Sequence, residues 1–187
     1  MLFTIHNPST APDGSRETLE KMIQSYGFLP NLAGVLAESP SALNGYLAVN
    51  SVFDSADTTL SPLERQIVLL AVSVANRCAY CAAAHGMLAV KLGLARSEVN
   101  KLHQGQLLSD PRLEQLRCFV ETVANQRGQL ADNDSEYFIK AGFSQAQILE
   151  VVLGVAIKTL TNYAHHIAKP PLNEQFADFR PAWADEK

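Results

Sequence analysis

Apolar positions along this chain recur at helical spacing, and strand-like alternation is absent. Ser39-Pro40 opens a predicted helix running to about Phe53, with Ser as N-cap and Pro at the first helical position. Ser61-Pro62-Leu63-Glu64 repeats the device and adds a capping box, so that Glu64 has a structural task from the outset. The run Ile67–Ala75 that follows is apolar almost all round, as in a helix buried on most sides. Asn76-Arg77 interrupts it, and a further helix is predicted from Cys78 to about Leu92, stopped by Gly93. Shorter helices are expected over Ser97–Gly105 and Asp132–Ala141, and a longer one from Asp110-Pro111 to about Arg127. Ser144 with Gln147 makes a second capping box, and that helix continues to about Ala168, where Lys169-Pro170-Pro171 ends it. The β-branched run Ile148–Ile157 is the only rival for a strand, and its length and caps favour helix. The expected fold class is therefore all-α. No linker richer than Ser55–Thr59 divides the chain.

Composition narrows the function classes. A chain of 187 residues fits one domain, long enough to bury a core without metal or disulfide staples. It is 47% hydrophobic and 18% charged with a net charge of −4, and it shows no basic stripe, so no nucleic-acid partner is expected. The longest apolar stretches, such as 67–75, fall short of the roughly 20 residues a membrane span needs, and Met1–Gly14 does not read as a secretory signal. A cytoplasmic location with no membrane partner is expected. The terminal arm 173–187 carries Phe176, Phe179, Pro181 and Trp183, which suggests docking on the body or on a neighbouring subunit.

Three cysteines cannot form a secreted disulfide framework, and two of them stand in Cys78-x-x-Cys81-x-x-x-His85. On one helix these positions share a face. Sulfurs at a helix N-terminus meet free N–H groups and the positive end of the dipole, which lowers a thiol pKa. A thiolate attacking a peroxide O–O bond becomes a sulfenic acid, and a neighbouring thiol condenses with it to a disulfide. His85, one turn on, is placed to exchange the proton. Two inert buried thiols, or half of a zinc site, are the competing readings. Zinc would need further ligands from His85, His103, His165, His166 or Cys118, and no second pair at finger spacing is present. No metal and no cofactor are expected. Cys118, amid Leu116, Phe119 and Val120, reads as a packed core thiol, and His103 as a surface residue. His165 and His166 are adjacent on a helix, so at most one should face the site.

The stretch Ala71–His85 resembles the AhpD-like alkylhydroperoxidases of the carboxymuconolactone decarboxylase superfamily, and Leu60–Arg65 is similar to the family's helix opening. Gly27–Leu32, Ser39-Pro40, Arg127-Gly128, Ala141–Ser144 and Lys158–Tyr163 look like its longer, peroxidase-related branch. The resemblance covers roughly residues 25–176 of a single domain. It implies an all-helical AhpD-like domain assembling as a homo-oligomer (dimer, trimer or hexamer), a peroxide substrate and a dithiol reductant. It also implies Cys81 as peroxidatic thiol, Cys78 as its resolving partner and His85 as proton-relay base. The family's relay usually includes a Glu twelve residues before the first Cys. That position here is Gln66, which cannot ionise, and Glu64, two residues earlier, is the candidate to replace it. Where some members have a His before the second Cys, this chain has Tyr80. Alternatives of the same fold are a redox-sensing or assembly protein with little turnover, and a decarboxylase-type enzyme.

Overall fold

The computed structural model describes residues 2–185, the side chain of Asp132 excepted. Its described residues form nine α-helices and no strand, so the all-α expectation holds. In chain order these are α1 (Asp13–Tyr26), α2 (Asn31–Leu36), α3 (Pro40–Phe53), α4 (Pro62–Ala75) and α5 (Ala79–Lys91). Then come α6 (Arg96–Gln104), α7 (Pro111–Asn125), α8 (Asp132–Lys140) and α9 (Gln145–Ala168). Two short 3-10 turns, Glu174–Phe179 and Ala182–Asp185, close the chain. No single helix among the described residues is long and apolar enough to cross a membrane.

The caps seen in the sequence are formed. The Ser39 side chain accepts from the Ala42 N–H. Ser61 and Glu64 make the reciprocal capping box of α4, as do Ser144 and Gln147 for α9. Each satisfies donors that a helix start leaves orphaned, a contribution of about 1 kcal/mol. Helices α1 and α2 are additions to the sequence reading. Neither has a side-chain cap, and α1 buries only Ser15, Leu19 and Met22, a stripe too narrow to stand out.

Helix α4 is the axis of the molecule. Ile67, Val68, Leu69, Leu70, Ala71 and Val72 are all at most 1% exposed, and the helix packs on α5, α7 and α9. Burial of each large side chain contributes about 1.5–3 kcal/mol, which makes α4 the main hydrophobic anchor. Helix α9 crosses it closely at Gly154. A Cβ there would lie 2.5 Å from Val68 Cγ1 and 3.2 Å from Phe53 Cζ. Gly154→Ala should therefore destabilise the protein by about 1–3 kcal/mol, despite alanine's better helix propensity. Thermal unfolding would register a fall of several degrees, and an unchanged midpoint would show that the helices do not touch here.

Two apolar clusters result. One joins α4 to α6, α7, α8 and α9. The other gathers Leu19 and Met22 of α1, Leu32 and Leu36 of α2, Leu43 of α3, and Phe176 of the terminal arm. Helix α5 serves both: Ala82 and Ala89 enter the first, Cys78, Tyr80, Cys81 and Ala83 the second. The cysteine pair thus lies on the seam between the clusters.

The arm docks on the chain's own body. Phe176 meets Phe28 and Tyr80 edge-on, and the Trp183 indole N–H donates to the His103 carbonyl at 2.8 Å. Asn173 ties three segments together. Its oxygen accepts from the Asn31 N–H and the Tyr80 hydroxyl, and its amide N–H donates to the Leu29 carbonyl.

Candidate functional site

The joint between α4 and α5 sets the position of both sulfurs. The Arg77 N–H donates to the Val74 carbonyl and the Cys78 N–H to the Ser73 carbonyl, the two bonds of a Schellman motif. The motif needs a left-handed residue after the helix, usually Gly, and Arg77 fills it at φ 54°. The Arg77 guanidinium lies 4.6 Å from the Trp183 ring centre, so the arm covers the turn. Cys78 ends that motif and is at once the N-cap of α5. Cys81, three residues on, stands in the first turn of α5, within the positive end of its dipole.

Cys78 is fully buried and Cys81 is 3% exposed, and both are unbridged. They are hydrogen-bonded to each other, Cys78 S–H donating to Cys81. That bond holds the Cys81 thiol below the ordinary range, against the opposing effect of burial. The Lys158 charge, the Asn162 amide and a Lys158 hydrogen bond add to it. The same bond, with burial, pushes Cys78 up, so Cys81 is the more acidic thiol of the pair.

His85 does not address Cys81 directly. Lys158 Nζ donates to His85 Nε2 at 2.9 Å. The neutral ring then carries its proton on Nδ1 and donates it to Gln66 Oε1, also at 2.9 Å. Burial, and then the neighbouring Lys158 charge, hold His85 well below its usual pKa. The chain of contacts runs from Gln66 through His85 and Lys158 to Cys81. Lys158 is 3% exposed on the buried face of α9, with Gly154, Thr161 and Asn162. Asn76 holds the Asn162 oxygen at 3.0 Å, and the buried Asn162 amide nitrogen, which has no hydrogen-bond partner, lies toward Cys81.

Glu64 is not at this site. One of its oxygens accepts from the Ser61 N–H, and the other pairs with Arg112 at 2.7 Å. Its place at the helix start points it at α7, and Gln66 takes the position facing His85. The Tyr80 hydroxyl is engaged by Asn173 at 2.6 Å, and burial raises its pKa, so Tyr80 is a packed wall residue. His103 is buried with Nε2 near the Ala82 carbonyl, which corrects the surface expectation. Cys118 is half-buried beside Glu114 and Arg117, outside the core, and burial with the Glu114 hydrogen bond raises it to about 11. His165 and His166 both reach the neighbourhood of Cys78, where the sequence geometry allowed only one. Lys158 and Asn162 were missed as site residues. The available signal was a lysine in the apolar stripe Val151, Gly154, Ile157, Thr161 of a long helix.

Cys81, His85 and Lys158 open on a cavity of about 260 Å³. Its other walls are mostly apolar and aromatic, among them Met22, Phe28, Leu32, Tyr46 and Phe176. Cys78 is not part of the wall. An oxidant entering this space meets Cys81 first.

Residues 40–106 match the carboxymuconolactone decarboxylase family. The fold is similar to that of an uncharacterized peroxidase-related protein with an alkylhydroperoxidase AhpD core from Ralstonia eutropha JMP134. The TM-score is 0.84 at 21% identity, over 93% of each chain. A peroxidase-related protein from Silicibacter sp. TM1040 gives 0.81 at 22% identity, over 96% of this chain and 95% of that one. A Cys-to-Ala variant of the debrominase Bmp8, in complex with 2,3,4-tribromopyrrole, gives 0.77 at 17% identity, over 96% and 95%. No curated protein matches the sequence. The family model thus matches the stretch that holds both cysteines and His85, and the fold as a whole is similar to that of AhpD-core proteins.

Proposed function

We propose that the protein is a thiol-dependent peroxidase that cycles Cys78 and Cys81 between dithiol and disulfide. The observation that carries this reading is the Cys81 sulfur on the cavity wall, with Lys158 beside it and the Cys78 thiol behind it. The Cys81 thiolate attacks one oxygen of the peroxide, the O–O bond breaks, and Cys81 becomes a sulfenic acid. The departing alkoxide or hydroxide takes a proton from Lys158, whose other contacts are His85 and Cys81. His85, fixed by Gln66, accepts a hydrogen bond from that ammonium and orients it, and Lys158 recovers its proton from the Cys81 thiol once the pair is reduced. This role differs from that of a base acting on the sulfur itself. The Cys78 thiol then attacks the sulfenic sulfur and water leaves, with the Cys78 proton passing to the departing oxygen. An external dithiol reduces the resulting disulfide and is itself oxidised, which closes the balance.

The test is hydrogen peroxide or an alkyl hydroperoxide consumed by the wild-type protein with a small dithiol in excess. Consumption should be catalytic, many equivalents per chain. A rate equal to that of the dithiol alone would remove the reading.

A second reading has one observation in its favour. Tyr26, Phe28, Tyr46, Tyr80 and Phe176 line the cavity, which suits a flat aromatic ligand. With a bromoarene, the carbon–bromine bond would exchange for carbon–hydrogen while two thiols become a disulfide and bromide leaves. Bromide release, measured beside peroxide loss, separates the two.

A further inference from the structure

The peroxide chemistry uses the cavity side of the cysteine pair. A different set of groups stands around Cys78. One ligand atom each from Cys78, His165 and His166 lie within 4.8 Å of one another. None of these three residues lines the cavity.

His165 adds an independent sign. Its Nδ1 is buried and has no hydrogen-bond partner. The ring's backbone neighbour is the Pro170 carbonyl. The buried Nδ1 is thus a polar atom that nothing in the chain satisfies. Leaving a buried nitrogen unpaired costs about 1–3 kcal/mol, and a ligand there removes that cost. The Tyr80 ring, 5.2 Å from the imidazole at 35°, holds it from one side.

We propose that Cys78, His165 and His166 form a three-ligand binding site for a zinc-class divalent cation. The donor set is one thiolate and two imidazoles, which zinc and cobalt(II) favour over the harder magnesium and calcium. Tetrahedral ligation brings donor atoms to about 3.5 Å from one another, a contraction that the exposed His166 ring can supply. The same residue gives the ion its route from solvent. Water completes the fourth position. Binding displaces the Cys78 proton into solvent, since zinc takes sulfur as thiolate. Cys78 then no longer donates to Cys81, and its sulfur is not available to form a disulfide. A disulfide in turn leaves only the two histidines and releases the ion. The site is therefore exclusive with the oxidised state of the pair.

Zinc titrated into the reduced, metal-free full chain against a chromophoric chelator tests this without peroxide. One equivalent per chain is expected. The double variant His165→Gln with His166→Gln should lose at least 100-fold in affinity, while Cys118→Ser should bind as wild type. Circular dichroism checks that each variant is folded. Cobalt(II) gives a spectroscopic arm: a thiolate-to-metal charge-transfer band that Cys78→Ser removes and Cys81→Ser keeps. Absence of zinc binding, wild-type affinity in the folded histidine double variant, or a band that follows Cys81 instead of Cys78 would overturn the site. Peroxidase activity enters none of these arms, so either reading stands or falls alone.

Discussion

Cys81→Ser should bring peroxide consumption down to the uncatalysed background, a loss of about 10⁴-fold or more, the scale on which enzymes fail when their nucleophile is removed. A serine hydroxyl at this position is not ionised near neutral pH and does not form a sulfenic acid. Cys78→Ser should behave differently. Cys81 still faces the cavity and still has Lys158 and Asn162 beside it, so it reacts once. The sulfenic acid then has no resolving thiol, and consumption stops near one equivalent per chain with a small dithiol acting only slowly from outside. The serine hydroxyl remains a hydrogen-bond donor toward Cys81, so the thiolate is kept and the single turnover still occurs. Mass spectrometry after a peroxide pulse, with a sulfenic-acid trap, reads both outcomes. Sustained turnover by Cys81→Ser would transfer the nucleophile to another sulfur and end the assignment.

Lys158→Met comes next in size. Lys158 acts on Cys81 by charge and by hydrogen bond, and both lower the thiol pKa. A thiol at the ordinary value near 8.5 is about 3% ionised at pH 7, which sets about 30-fold as the ceiling on the thiolate lost while Cys78 still donates to Cys81. Removal of the proton donor to the leaving oxygen adds a further factor of about 10². Iodoacetamide alkylation of Cys81 should titrate below the free-thiol value in wild type and move to higher pH in Lys158→Met. The sign is fixed by which form is favoured: a lowered pKa keeps the reactive thiolate as pH falls, and the variant loses it first. Lys158→Arg should restore part of the shift. Stability gives the control. The lysine is almost wholly buried, but Cys81 takes up a proton once it is gone, so no unpaired charge stays buried and the unfolding midpoint should not collapse. An unmoved alkylation profile would take Lys158 out of the thiolate's environment.

Helix starts were legible because they are chemical. Ser39-Pro40, Ser61-Pro62 and Asp110-Pro111 each carry an N-cap oxygen and a proline, and α3, α4 and α7 begin one residue later. Helix α1 has Pro12 as its N-cap and begins with Asp13-Gly14-Ser15, which reads as turn. Its contacts with α3 and the apolar cluster it shares with α2 make it a helix of the body. The cysteine pair was legible for the same local reason, since three residues on one helix start fix their own geometry. The Gln66, His85, Lys158 and Asn162 network draws on three helices separated by some 90 residues, and the spacing of no single segment reports it. Glu64 shows the limit from the other side. Its charge suited a relay, yet an N3 carboxylate already satisfying an N-cap N–H and Arg112 has no freedom to turn inward.

The cavity wall that faces Cys81 comes largely from the two ends of the chain, Met22 to Leu36 on one side and Phe176 on the other. Asn173 stitches those ends together through Leu29, Asn31 and Tyr80. The helical body around α4 contributes little to that clasp, so it can loosen while the body stays folded. On the proposed function, a reductant too bulky for the closed chamber reaches Cys81 once that clasp opens, which puts the doorway at the chain's two ends instead of at its centre.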